Sequence, residues 1–241
     1  MTALQQLRTL VLDCCHVTNG GVACLARLTA LTRLDLSDNA VTSSAVAALA
    51  PLSALTALNL FSTGVSDAGV QHIGNFRKLR SLNLDSRLIT DAGMLPLTCL
   101  TELESLDLFG ARITHAGARY IGQLPNLTSL EACGGGMTDD AVAALRSLTR
   151  MLSLNLSQND SLSDHCVTYL LQMSRLTSLN LAGAHPAAPL PAAARVPPAR
   201  SSNFLTECCC QGTDTRVVSS SLMRTIILPL SLSHTWCSSR G

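Results

Sequence analysis

The chain of 241 residues balances 17 Lys+Arg against 16 Asp+Glu for a formal net charge of +1, with 14% charged and only 3% aromatic residues. That balance argues against the basic stripe that displaces counterions from nucleic acid, and no apolar run approaches the roughly 18 residues that span a bilayer. No basic-then-apolar leader opens the chain, so the expectation is a reduced, intracellular protein, cytoplasmic or nuclear, with no membrane partner.

From the start, leucines recur in triplets: Leu7, Leu10 and Leu12, then Leu31, Leu34 and Leu36, then Leu55, Leu58 and Leu60. The series continues through Leu82, Leu106, Leu130 and Leu154 at a spacing of 24 residues, and reaches Leu179 after one inserted residue near Asn159 to Ser161. Within each triplet the apolar residues alternate as in a half-buried strand. Each of the first seven strands is followed by a β-branched or long apolar residue (Val17, Val41, Val65, Ile89, Ile113, Met137, Leu162) and then by Thr or Ser, often with Asp behind it. That pair reads as a helix start, the hydroxyl accepting a backbone N–H and the carboxylate suiting the helix dipole.

Short helices should follow, burying Ile73 with Phe76, Leu97 with Leu100, Ile121 with Leu124, and Leu145 with Leu148. Gly69, Gly93 and Gly117 share a position with Ala45 and Ala141, which predicts a place where the helix presses against the strand. Cys24, Cys99 and Cys166 lie on the helical side, where a small apolar residue packs well. A fixed period of this length is the mark of a leucine-rich repeat. The expected fold is an α/β leucine-rich-repeat solenoid, a curved parallel sheet with short outer helices, in about seven to eight repeats of 24 residues, uncapped at both ends. Leu4 stands one period before Leu28, so the expectation is that a longer parent preceded this start.

The period stops after Ala184, where HPAAPLPAAARVPPAR begins and beyond which 6 of the 9 prolines lie. The reading is therefore two parts: residues 1–184, the repeat domain, and residues 185–241, a Pro/Ala-rich and irregular tail that is disordered or mis-translated.

Four phrases, LNLDSRLITDAG, LDLFGARITHAG, LEACGGGMTDDAV and LNLSQNDSLSD, cover residues 82–164. In that order they resemble a plant and green-algal family of leucine-rich-repeat proteins grouped with the F-box/LRR or ribonuclease-inhibitor-like type. The resemblance covers residues 1–184 and implies a protein-recognition module. In F-box/LRR proteins a separate amino-terminal helix bundle docks on the adaptor of a cullin-based ubiquitin ligase while the repeats hold a substrate. No such bundle precedes Leu4. Two expectations follow: a non-enzymatic, monomeric scaffold for a protein partner, or the substrate-recognition part of such a ligase.

Strand alternation places two rows on the open face. One runs Val11, Asp35, Asn59, Asn83, Asp107, Glu131, Asn155, Asn180, and the next runs Asp13, Ser37, Phe61, Asp85, Phe109, Cys133, Ser157, Ala182. Apart from Arg33 the charges there are acidic. Asp35, Asn59, Phe61, Asn83, Asp85, Asp107, Phe109 and Glu131 form the candidate partner site, matched to a basic segment. The alternative is that Asn, Asp and Ser merely solvate the strand surface.

Other chemistry finds little support. Gly134–Gly136 lacks the Lys-Ser/Thr of a phosphate loop and reads as a tight bend. Cys14 with Cys15, and Cys208–Cys210, lack paired C-x-x-C spacing, so no metal is expected. His16, His115 and His165 lie near acids, but no nucleophile stands at a strand-to-helix elbow, so no catalytic residue or cofactor is expected. His115 takes the slot of Asp67, Asp91 and Asp139 and reads as a tolerated surface substitution. The sequons at Asn126, Asn155 and Asn159 read as chance matches.

Overall fold

In the computed structural model, which describes residues 4–183, every turn of the coil contributes one strand and one short helix. The strands are β1 (Thr9–Val11), β2 (Arg33–Asp35), β3 (Ala57–Asn59), β4 (Ser81–Asn83), β5 (Ser105–Asp107), β6 (Ser129–Glu131), β7 (Ser153–Asn155) and β8 (Ser178–Asn180). They pair in parallel in sequence order. Register follows the leucines: Leu34 pairs with Leu58, Leu82 with Leu106, and Leu154 with Leu179 across the insertion.

Between the strands lie α1 (Asn19–Leu25), α2 (Ser43–Ala48), α3 (Asp67–Ile73), α4 (Met94–Leu97), α5 (His115–Ile121), α6 (Asp139–Leu145) and α7 (His165–Leu170). Helices this short are unstable alone and form here because each lays an apolar stripe on the leucine stack. Strands stand about 4.8 Å apart while packed helices need about 8 to 10 Å. The sheet is therefore the concave side of the solenoid. The fourth repeat reaches its helix through a 3-10 turn, Asp91–Gly93, and Pro96 sits in the first turn of α4, where an amide N–H has no helical partner to lose.

The core is one continuous aliphatic column. Leu34, Leu58, Leu82, Leu106, Leu130 and Leu154 are all buried, as are the helix residues Ile73, Phe76, Leu97, Leu100, Ile121, Leu124, Leu145 and Leu148. Each buried leucine contributes about 1.5–3 kcal/mol by leaving water. Leu7, Leu10 and Leu12, with a neighbour on one side only, are partly buried. No helix among the described residues is long and apolar enough to cross a membrane. The expectation for residues 185–241 lies outside the described residues.

Three local expectations need correction. Thr or Ser does stand before most helices in extended conformation, but the hydroxyl accepts a bond from a helix N–H only at Thr90, Thr114 and Ser163, from Ala92, Ala116 and His165. The hydroxyl proton instead goes to the previous repeat. Thr90 donates its hydroxyl (2.6 Å) and its backbone N–H (2.8 Å) to Asp67, and Thr114 does the same to Asp91 at 2.6 and 2.8 Å. Ser163 likewise bonds Asp139 through both groups. These acids staple one turn to the next, a larger role than tuning a dipole.

The small-residue position is also tight for a different reason. A Cβ on Gly93 would stand 2.6 Å from Oδ1 of Asp67, and one on Gly117 would collide with Asp91, so the crowding comes from the stapling acid of the preceding repeat. Among the three helical-side cysteines only Cys166 is buried, with its thiol pushed up to about 12 by desolvation and by Asp139 and Asp164; Cys24 is exposed.

Candidate functional site: the concave face

The concave face is built from the strand residues whose side chains point away from the leucines. The first row, Asp35 to Asn155, is a hydrogen-bonded ladder. Asn59 Nδ2 donates to Asp35 at 3.0 Å, Asn83 Nδ2 to Asp107 at 3.0 Å, and Asn155 Nδ2 to Glu131 at 2.9 Å. The same side chains also close the strand ends. Asn59 accepts the N–H of Phe61, Asn83 that of Asp85, Asp107 that of Phe109, and Asn155 that of Ser157. An Asn or Asp folding back on the N–H two residues on is an Asx turn, and here it releases the chain from the sheet. Asp35, Asn59, Asn83, Asp107 and Glu131 are thus engaged by the fold, which brings them together without leaving them free.

The second row divides. Ser37, Cys133 and Ser157, expected on the open face, are buried. Ser37 is covered by Asp13 and Asp35, between whose carboxylates its one hydroxyl proton is shared, and Cys133 lies 3.7 Å from the carbonyl of Asn155. Burial raises the Cys133 thiol, Ser157 opposes this, and Glu131 and Asp107 add to it. Phe61 and Phe109 remain, with 37% and 42% of their surface exposed. Asp85 stands between them, half-buried.

Electrostatics single out the same place. Burial holds the Asp85 carboxyl above its usual range and the Asp107 charge next to it adds to the effect. Asp107 is likewise raised by burial, against the Phe109 N–H that favours its charged form. At Asp35 burial is outweighed by hydrogen bonds from Ser37 and Asn59, and the carboxyl is lowered. Repulsion between two partly desolvated carboxylates is therefore confined to the strip between the two phenylalanines. Toward β1 the face sinks into a shallow open depression lined by Thr9, Val11, Arg33, Asp35, Asn59 and Asn83, which brings Arg33 beside the acidic row.

The polar residue that sequence reasoning missed is the asparagine that ends the strand turn. Asn39 and Asn159 are buried. Asn159 Oδ1 accepts from Gly135, Gly136 and Met137 at 3.2, 2.9 and 2.9 Å, and its Nδ2 donates to Ala132 and Leu156 at 2.8 and 2.9 Å. The N–H groups of Gly135 and Gly136 are therefore filled by a side chain and that of Gly134 by the Ser157 carbonyl, as expected of a bend and not of a phosphate loop. The sequon at Asn159 is sealed inside the core. Asn at the third position after the last strand leucine, Leu36 or Leu156, was the available signal.

Comparison with known proteins places the repeat. A family profile described as leucine rich repeat matches residues 5–65. No sequence among curated proteins matches the chain at a significant level. Among solved structures, internalin C2 of Listeria monocytogenes superposes with a TM-score of 0.59 at 27% identity, over 74% of this chain and 82% of that one. An internalin, inlF, of the same organism gives 0.50 at 21% identity over 88% and 71%. The plant peptide hormone receptor RGFR1, solved with RGF2, gives 0.48 at 19% over 68% and 26%. The profile match and the internalin superpositions support a leucine-rich-repeat fold and do not single out the F-box type.

Proposed function

We propose that this leucine-rich-repeat protein is a non-catalytic scaffold that holds a protein partner on its concave face, around Phe61, Asp85, Asp107 and Phe109. The observation that carries this reading is the pairing of two exposed aromatic rings with a carboxylate strip held above its usual range on an otherwise self-bonded surface. A free monomer gains nothing from desolvated like charges, whereas an arriving Lys or Arg relieves them and buries the rings together. The rings stand two repeats apart, about 10 Å, so one short segment reaches both. The partner segment is basic and partly apolar. The Asx ladder beneath acts as a rigid floor and makes few contacts itself.

The test is affinity capture from cell extract followed by surface plasmon resonance across a salt series. Asp85→Asn with Asp107→Asn should slow association and flatten its salt dependence, because long-range attraction sets encounter rates. Phe109→Ala should speed dissociation at every salt concentration. If captured partners bind these variants as tightly as the parent chain and lose affinity only on mutation of the convex Gln71, the assignment to the concave face is wrong.

A further inference from the structure

The convex side carries a feature that neither the fold nor the concave face uses. At five of the six described helix junctions an acceptor side chain at the start of one helix bonds the Thr or Ser that precedes the next. Asn19 serves Thr42, Ser43 serves Ser66, Asp67 serves Thr90, Asp91 serves Thr114, and Asp139 serves Ser163. His115 occupies this slot in the fifth repeat and does not serve Thr138. Its Nδ1 lies 2.9 Å from the backbone oxygen of Asp140 instead. A carbonyl oxygen only accepts, so Nδ1 is the donor and Nε2 is left over. The junction between α5 and α6 thus replaces the side-chain bond to Thr138 with one from His115 to the α6 backbone. Departures from a local rule concentrate where a surface does something else.

What surrounds His115 indicates what that is. A shallow, open trough here is lined by His115 and Arg119 of α5, Asp140, Ala143 and Ala144 of α6, Arg146 just beyond α6, and Tyr169 of α7. Arg119 follows His115 by four residues, so both stand on one face of α5. Among the described residues the ion pairs are made by Arg80 alone, with Glu102 and Glu104, and the guanidinium forks of Arg119 and Arg146 are uncommitted. The Tyr169 ring packs against the core, and its hydroxyl makes no hydrogen bond to another described residue. The trough therefore offers two guanidinium groups, an imidazole and a phenol, with the single carboxylate of Asp140, around two small alanines.

We propose that this trough binds a phosphoserine or phosphothreonine side chain of a partner protein. A phosphoryl group brings three acceptor oxygens and about −1.5 to −2 charges, which the donors can share, and Arg forks bind it bidentately. Asp140 at the rim sharpens the choice. It repels a continuous run of phosphates or carboxylates but leaves room for one anionic group beside neutral or basic residues. A single phosphorylated residue meets that condition, and a nucleic-acid backbone does not.

The test uses the full chain and a degenerate pool of short fluorescein-labelled peptides with a central phosphoserine, compared with the same pool carrying serine. The phosphorylated pool should be retained, and Arg119→Gln with Arg146→Gln should weaken retention about tenfold or more. His115→Asp is the discriminating variant. It restores a carboxylate facing Thr138, so it should raise the urea midpoint while lowering retention of the phosphorylated pool. A purely structural role for His115 would move both readouts in the same direction. Asp85→Asn with Asp107→Asn, on the other face, should leave retention unchanged. Equal retention of the two pools, full retention by the double arginine variant, or preferential retention of a labelled single-stranded RNA would each overturn the proposal.

Discussion

Replacing Asn159 with alanine should be among the most damaging single polar changes in the chain. Its side chain is fully buried and joins three backbone N–H groups of the glycine bend to two carbonyls of the strand region. Gly136 is exposed, so water can replace the bond to its N–H, but Met137 is buried and its N–H would be stranded. An unsatisfied buried group costs about 1–3 kcal/mol, and counting the Met137 N–H with one carbonyl gives about 3 kcal/mol for Asn159→Ala. Asn126 is the control, since its amide donates to Thr101 at 2.8 Å in an exposed setting where water substitutes. Asn126→Ala should cost well under about 1 kcal/mol. Urea unfolding followed by circular dichroism gives the comparison. Because a solenoid is a sum of coupled turns, hydrogen exchange at the Met137 amide locates the damage. Equal midpoints for the two variants, or a Met137 amide as protected as in the parent, would refute the reasoning.

Leu106→Ala opens a cavity in a column one leucine thick and should cost about 2–5 kcal/mol by urea titration, far more than Asn83→Ala on the concave surface. Asp91→Ala removes the acceptor of Thr114 N–H, Thr114 hydroxyl and Gly117 N–H, so it should lower the midpoint more than Asp140→Ala, which staples nothing. Asp85→Asn makes a pH-dependent prediction. Its native carboxyl is raised, so the native state holds the proton more readily than the unfolded chain. The resulting destabilisation is absent below the ordinary carboxylate range and grows as pH rises through the raised native value. Asp85→Asn should therefore raise the urea midpoint at about pH 7 and leave it unchanged at about pH 3, and an equal gain at both would show that the burial of the charged carboxylate beside Asp107 is not the cause.

The strand register was legible because it depends on a residue type that recurs whatever its neighbours are: a leucine at each turn has only the column to fill. The polar rows were less legible because their roles are relational. Asn83 reads as a contact residue in isolation, yet whether its amide is free depends on Asp107 one period on and on the N–H of Asp85 two residues on. Asp67 reads as a helix-dipole partner, while its real partner, Thr90, lies 23 residues away. Cys133 and Ser157 were placed outward by strand alternation, but the strands are three residues long and end at Glu131 and Asn155, so alternation no longer governs the next outward position. Phe61 and Phe109 pass the same point and stay exposed because the buried places around them are already filled by leucine.

The same logic explains why the two faces can be assigned different partners. In this repeat nearly every polar slot has a structural duty, and a residue becomes available for recognition only where that duty is dropped or overloaded. On the concave side the duty is overloaded: Asp107 already accepts from Asn83, and the Asp85 carboxylate stands beside it as a second, like charge. On the convex side it is dropped: His115 leaves Thr138 unstapled beside Arg119. The first departure leaves excess negative potential and the second leaves uncommitted positive groups, so the ligands they favour carry opposite charge. Because both belong to the middle turns, flanked by intact staples and a continuous leucine column, each surface is held rigid by repeats that take no part in it. Binding at either one need order little of the protein itself, and the entropy cost falls mainly on the partner segment.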